Sequence, residues 1–348
     1  MREPINICNT VIKAGTQQTL ELPVPSLYTH TALELPVHVI HGKQPGPVLF
    51  LSGAIHGDEI NGVEIIRRVL NIKTLSKLKG TLIAIPVVNI YGFINQTRYL
   101  PDRRDLNRSF PGSEKGSLAG RMANLFLNEI VSKCTHGIDL HTAAIHRENL
   151  PHIRAYLDDE DTEKMARAFT SPVILNTPII DGSLRKAAEK TGAAVIVYEA
   201  GEALRFDEVS IRAGVRGIIS VMRSLNMLPA LKNKRKHIQP VVARSSTWVR
   251  APQSGILRVQ KTLGSRIEKN QSLGFVSDPF GKTEENILSP VDGIIIGRTN
   301  IPLVNEGEAL FHIAQFKSSE NAADKVEKFQ QNYDPATDIN SPEEPPIL

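Results

Sequence analysis

The sequence predicts an α/β protein, with a mixed sheet flanked by helices, followed by a small all-β domain. Two observations carry this expectation. Between residues 46 and 228, short, nearly continuous apolar runs rich in Val and Ile alternate with amphipathic stretches, the pattern of strands buried on both faces and joined by helices. From about residue 245 to 316 the helical periodicity stops, and "APQSGIL" at 251–257 returns as "SPVDGII" at 289–295, the echo expected of a unit built from two similar halves.

Taken in order, residues 1–45 hold short alternating stretches, "TLELPV" and "LPVHVI", that read as an antiparallel lead-in of strands. The α/β domain is expected over 46–230. Its buried strands are "PVLFLSGA", "GTLIAIPVVN", "HGIDLHT", "VILN" and "AAVIVYEAG", and its helices cover 59–70, "SLAGRMANLFLNEIVSKC", 159–169, 182–191 and 206–226. In the all-β domain, 245–316, each copy of the repeat leads to a Gly-centred turn and a further apolar strand, "GSRIEKNQSLGFV" and then "NEGEALFHI". The tail, 317–348, is polar, Pro-containing and net acidic with one marginal helical stretch, and is expected to be mostly disordered.

Composition narrows the function classes. A chain of 348 residues with 41% hydrophobic content can bury a sizeable core and form two domains. The net charge of +4 is small, and the basic residues are scattered, which argues against a nucleic-acid binder. One dense basic run, "LKNKRKH" at 231–237, reads as a solvated linker. No eighteen-residue apolar run occurs and the start "MREPINICNT" lacks signal-peptide features, so a cytoplasmic location away from membranes is expected. Cys8 and Cys134 match no zinc or redox spacing and read as buried free thiols.

The chemistry begins at His56-x-x-Glu59, where an apolar run becomes amphipathic. That spacing alone favours a helix start, with Asp58 as cap and Glu59 complementing the dipole. Its position adds weight, because His56 follows a strand directly, Gly57 permits a tight turn, and Glu59 is expected in the first turn of the next helix. Both side chains can then face the crevice beyond the strand's carboxyl end. His141 ends another buried strand in "GIDLHTA", completing a two-His, one-Glu set that leaves a fourth position for water. His136, His146 and His152 compete less well, their registers or loop positions being less suited to convergence. Glu199 ends "AAVIVYEAG", where desolvation suits a carboxylate to general acid–base work. Between these residues, "QTRYLPDRRDLNRSFPG" at 96–112 supplies four arginines, whose guanidinium forks suit an anionic substrate.

The pieces "HGDE", Arg98 with "DLNRSFPG", "DLHT" and "YEAG", in that order over about residues 46–228, resemble the succinylglutamate desuccinylase/aspartoacylase family, a branch of the zinc carboxypeptidase superfamily. The resemblance implies a zinc-carboxypeptidase-like sheet and one Zn2+ per chain bound by His56, Glu59 and His141, with Glu199 as the catalytic carboxylate. It further implies that Asn107 and Arg108 hold the substrate's carboxylate, that Arg98 polarises the scissile carbonyl, and that Asp105 accepts a hydrogen bond from the first zinc histidine. The stretch from Arg98 to Asn107 is longer than in aspartoacylase, which leaves Arg103 and Arg104 as alternatives to Arg98. The tyrosine that carboxypeptidases bring over their substrate has no counterpart here. The β domain resembles a biotinyl/lipoyl-like barrel-sandwich. The hairpin expected between its halves, "SDPFGKTEEN", has Lys282 as its lysine and no flanking methionine, which favours structural or lid use over carrier use. The expected activity is zinc-dependent deacylation of an N-acyl amino acid or similar small carboxylate, with carboxypeptidase action on peptides as the alternative. The expected partner is that small molecule, with neither nucleic acid nor membrane. Homo-oligomerisation and the identities of the acyl group and amino acid stay open.

Overall fold

The computed structural model of the protein describes residues 2–26, 28–230 and 239–333. The basic run at 231–237 and the end of the tail, 334–348, lie outside the described residues. β1 (Ile5–Ile7) and β2 (Thr10–Ile12) form a small hairpin. β3 (Thr16–Val24) and β4 (Leu33–His41) pair antiparallel and extend the edge of the main sheet. There follow β5 (Gln44–Gly53), α1 (Asn61–Leu70), β6 (Lys79–Ile85), α2 (Ile90–Ile94), α3 (Leu118–Glu129), β7 (His136–Ala143) and β8 (Arg147–Ala155). Next come α4 (Glu160–Ala168), β9 (Val173–Asn176), α5 (Leu184–Thr191), β10 (Ala194–Glu202) and α6 (Glu208–Ser224).

At the centre of the sheet β10, β7 and β5 lie side by side and parallel, with Glu199 paired to His141 and Gly53 to Leu140. These are the Val- and Ile-rich runs of the sequence, and they are buried because helices cover both faces. One face packs Ile65, Ile66 and Val69 of α1, Met165 of α4 and Ile211, Ile218 and Met222 of α6. The other packs Met122 and Phe126 of α3 and Leu184 and Ala187 of α5. The three adjacent carboxyl ends therefore open into one crevice, where ligands of open α/β sheets bind.

The C-terminal strands are β11 (Val241–Ala243), β12 (Ser245–Arg250), β13 (Gly255–Val259), β14 (Arg266–Ile267), β15 (Ser272–Ser277) and β16 (Glu284–Leu288), then β17 (Gly293–Thr299), β18 (Leu303–Val304) and β19 (Ala309–Gln315). The echoed segments fall in different sheets, β13 in a four-stranded one and β17 in the other, around a shared core that includes Leu257, Leu273, Ile295 and Phe311. The second sheet is not separate from the α/β part. β17 pairs with β8, so the main sheet runs continuously in the order β12-β19-β17-β8-β10-β7-β5-β6-β4-β3.

In the tail, the one helical stretch of the sequence reading forms α7 (Ser319–Tyr333). Ala322, Val326, Phe329 and Tyr333 line its buried face. Phe329 and Tyr333 join the core under α6, while Ala322 and Val326 pack with Ile294 and Ile296 of β17. A polar helix with one narrow apolar stripe is stable here because that stripe is docked. Among the described residues no helix is long and apolar enough to cross a membrane.

Candidate active site

The crevice lies at the carboxyl ends of β5, β7 and β10. After β5 the chain passes through Ala54 at φ 47, a conformation uncommon for a residue with a Cβ, and into the turn that carries His56. Glu59 lies in this turn, its N–H donating to the His56 carbonyl at 3.1 Å, and α1 starts two residues later at Asn61. The helix-cap reading is thereby overturned. The residue before α1 is Ile60, and no side chain caps it. Asp58 makes no capping bond, and its buried Oδ1 has no partner among the described residues. Gly57 serves close approach, since a Cβ there would lie 2.0 Å from the Gly92 carbonyl carbon, inside α2.

His56, Glu59 and His141 converge, and their ligand atoms all lie within 4.8 Å of one another. His56 Nδ1 is 2.8 Å from Glu59 Oε1 and His141 Nδ1 is 2.8 Å from Glu59 Oε2. The outer nitrogen of each ring is held by its own aspartate. His56 Nε2 is 3.0 Å from Asp105 Oδ1, and His141 Nε2 is 2.8 Å from Asp139 Oδ2. Asp139 is fixed in turn by the Ser52 hydroxyl, which donates to its Oδ1 at 2.7 Å from the neighbouring strand. Burial opposes protonation of both histidines, yet the surrounding carboxylates outweigh it and raise both pKa values. Burial likewise opposes ionisation of Glu59, but the two imidazoles overcome it and hold its pKa well below the usual carboxylate range. Two imidazole nitrogens and a carboxylate, with carboxylates behind the rings, are the chemistry of a transition-metal site whose outer partners fix ring tautomer and direction.

Arg98 closes the site on one side, with Nη1 3.1 Å from Glu59 Oε1 and Nη2 3.0 Å from Asp105 Oδ2. Arg103 and Arg104 are exposed on the turn beyond, so the geometry brings Arg98, and not its two alternatives, to the cluster. Glu199 sits on β10 directly beside His141. Its Oε2 accepts from Asn149 Nδ2 at 3.1 Å and its Oε1 lies 3.6 Å from Arg154 Nε, both donors being on β8.

Residues 45–225, just over half of the chain, match the family model described as the succinylglutamate desuccinylase/aspartoacylase catalytic domain. The chain belongs to that family. Among characterised relatives it is 24% identical over 300 residues to the N-alpha-acetyl-L-2,4-diaminobutyric acid deacetylase of Halomonas elongata, covering 83% of this chain and 87% of that one. A succinylglutamate desuccinylase/aspartoacylase structure from Rhodobacter sphaeroides superposes with TM-score 0.78 at 22% identity, covering 90% and 97% of the two chains. The product-bound ectoine utilization protein EutE (DoeB) of Ruegeria pomeroyi gives 0.77 at 21% identity, covering 90% and 96%. The family and the named relative are deacylases, and the likeness to the solved structures extends the shared fold through the C-terminal strands.

Within this family frame the remaining expected residues differ in placement. Asp105 caps the short turn Leu106–Arg108, accepting from the Asn107 N–H at 2.8 Å while it holds His56. Asn107 is already engaged, because its Oδ1 accepts from the Leu184 N–H at the start of α5 at 2.9 Å. Arg108 is exposed, and its Nη1 donates to the Asn107 carbonyl at 2.7 Å. Sequence reasoning missed Asp139, although its place two residues before His141 on one strand puts both side chains on the same face. It also missed Asn149, Arg154 and Arg185, which carry no local signal. Arg185 is half-buried near Glu199 and Asp139, its buried Nη1 has no partner among the described residues, and burial with the nearby Arg154 charge lowers its pKa to about 10. Lys282 lies far along the chain in an exposed turn, its Nζ 5.8 Å from the Phe280 ring centroid. Of the two cysteines, Cys134 is buried as expected and Cys8 only half-buried.

Proposed function

We propose that the protein is a zinc-dependent amidohydrolase that removes the acyl group from an N-acyl amino acid or a similar small carboxylate. The observation that carries this reading is the convergence of His56 Nδ1, Glu59 and His141 Nδ1, with an aspartate behind each ring. That donor set suits a catalytic rather than a structural zinc, because it leaves coordination open. A zinc ion held there would supply Lewis acidity toward the amide carbonyl and toward water.

The protein's own groups account for the remaining steps. Glu199 takes the proton from the attacking water and returns it to the leaving nitrogen, so that the amine departs uncharged. Arg98 stabilises the negative charge that develops on the carbonyl oxygen. The exposed Arg108 and the half-buried Arg185 are the cations available to a substrate carboxylate, and Arg185 retains a free Nη1 donor for it. With its Oδ1 engaged, Asn107 offers substrate its amide N–H groups. Similarity to the Halomonas deacetylase supports an N-acylated amino acid as the substrate class.

The test is metal analysis of the purified protein together with turnover of N-acetyl and N-succinyl amino acids and of short peptides, before and after chelation. One zinc per chain and chelator-sensitive hydrolysis of acyl amino acids are expected. Cleavage of peptides alone would reject the reading in favour of a carboxypeptidase. Glu199→Gln should retain zinc and lose about 10²–10⁴-fold in kcat, whereas His56→Ala should lose both metal and turnover.

A further inference from the structure

We infer that Asn149 and Arg154 are positioning residues that clamp the Glu199 carboxylate, and that the C-terminal sheet sets the clamp through Gly297. The inference rests on the proposal that Glu199 transfers the proton. β10 loses regular pairing just after Glu199, where its register shifts against both neighbours. A bulge there leaves the side chain's direction less constrained by the ladder. The clamp residues lie on either side of this point. On β8, Arg154 pairs with Val197 and Asn149 with Gly201, the positions two before and two after Glu199. One carboxylate oxygen accepts from Asn149 at 3.1 Å, and the other faces Arg154 Nε at 3.6 Å. That Nε has no hydrogen-bond partner among the described residues. It is free to close on the carboxylate, as catalytic hydrogen bonds that are long without substrate commonly tighten in the complex.

The other edge of β8 links this clamp to the C-terminal strands. Gly297 of β17 pairs with Asn149 on one side and with His312 of β19 on the other. A Cβ at Gly297 would lie 2.9 Å from Asn149 Oδ1 and 3.2 Å from the His312 Cβ. The Asn149 amide thus occupies the space left by the missing side chain, and from there its Nδ2 reaches Glu199. The nearer obstruction is the tip of a movable side chain rather than backbone, and the His312 Cβ need give only a few tenths of an ångström, so a methyl group at Gly297 should displace the amide without unfolding the sheet.

The test uses the zinc-loaded full chain with the acyl amino acid it turns over fastest, comparing Asn149→Leu, Arg154→Met, Arg154→Ala, Arg154→Lys and Gly297→Ala with Glu199→Gln. Losing the orientation of a reacting group costs rate rather than binding. The clamp predicts a kcat loss of about tenfold or more in Asn149→Leu, Arg154→Met and Gly297→Ala, with KM within about threefold and zinc content and Tm retained. It also predicts partial recovery in Arg154→Lys and on adding guanidinium ion to Arg154→Ala, which a purely structural role would not show. Near-normal turnover in Glu199→Gln rejects the base assignment. Loss there with normal turnover in the other variants rejects the clamp alone. A crystal structure of Gly297→Ala decides without reference to activity: an amide turned away from Glu199 supports the clamp, and an unmoved amide overturns it.

Discussion

Asp139 and Asp105 show how much of the candidate metal site lies outside its three proposed ligands. Each holds the far nitrogen of one histidine at 2.8–3.0 Å, which leaves Nδ1 of each ring facing Glu59 and spares both rings the cost of being oriented on binding. Loss of such a partner typically weakens metal affinity about 10–100-fold. Asp139→Asn should therefore lower zinc affinity by that order in a chelator competition while leaving the fold intact, and an unchanged affinity would refute its role. Asp105 was legible because it sits within a motif. Asp139 was legible in principle from strand alternation, since residues two apart share a face. Asn149, Arg154 and Arg185 were not, because no local pattern links them to Glu199, and strand pairing and packing alone bring them near it.

Among the elements, the buried strands were read from their apolar runs, and the helices from amphipathic stretches near the observed α1, α3, α4, α5 and α6. The marginal helical stretch of the tail is realised as α7, whose polar composition hides a stripe that only a partner surface makes useful. Phe329 is 1% exposed within the core beneath α6. Its truncation to Ala should cost about 3–5 kcal/mol, read as a lower denaturant midpoint. A loss within about 0.5 kcal/mol, the range of ordinary surface changes, would show that the helix is not part of the folded core. The start of α1 differs from the expected one. Glu59 and Asp58 have the types of first-turn residues, but Glu59 is drawn into a tight turn before the helix by contact with two histidines and Arg98.

At the scale of the molecule the continuous sheet gathers an unusual set of buried bases beside the site. His152, opposite Glu199, and His312, stacked on Trp248 at 4.5 Å, are both driven down to about 3, by burial first and by the Arg154 charge second. Their folded-state values lie below the unfolded one, so the unfolded chain binds more protons between pH 6.5 and about 3, and stability falls on acidification through that window. In the metal-free protein His56 and His141 act oppositely, their raised values giving stability that is lost as pH rises. His312→Phe keeps a ring on Trp248 and should leave stability near pH 7 within about 1 kcal/mol of wild type. It should also flatten the acid-side decline in denaturant titrations, and an identical decline would exclude His312 from it. The sequence by itself determined the class of fold and the three candidate ligands, because apolar periodicity and residue type at strand ends are local properties of the chain. Tertiary structure alone decided that the C-terminal strands extend the main sheet, that the tail docks as a helix, and that β8 supplies the partners of Glu199. Those outcomes depend on which strand edges and apolar faces meet, and pairing across 50 residues or more, as between Asn149 and Glu199, leaves no signature in the neighbouring sequence.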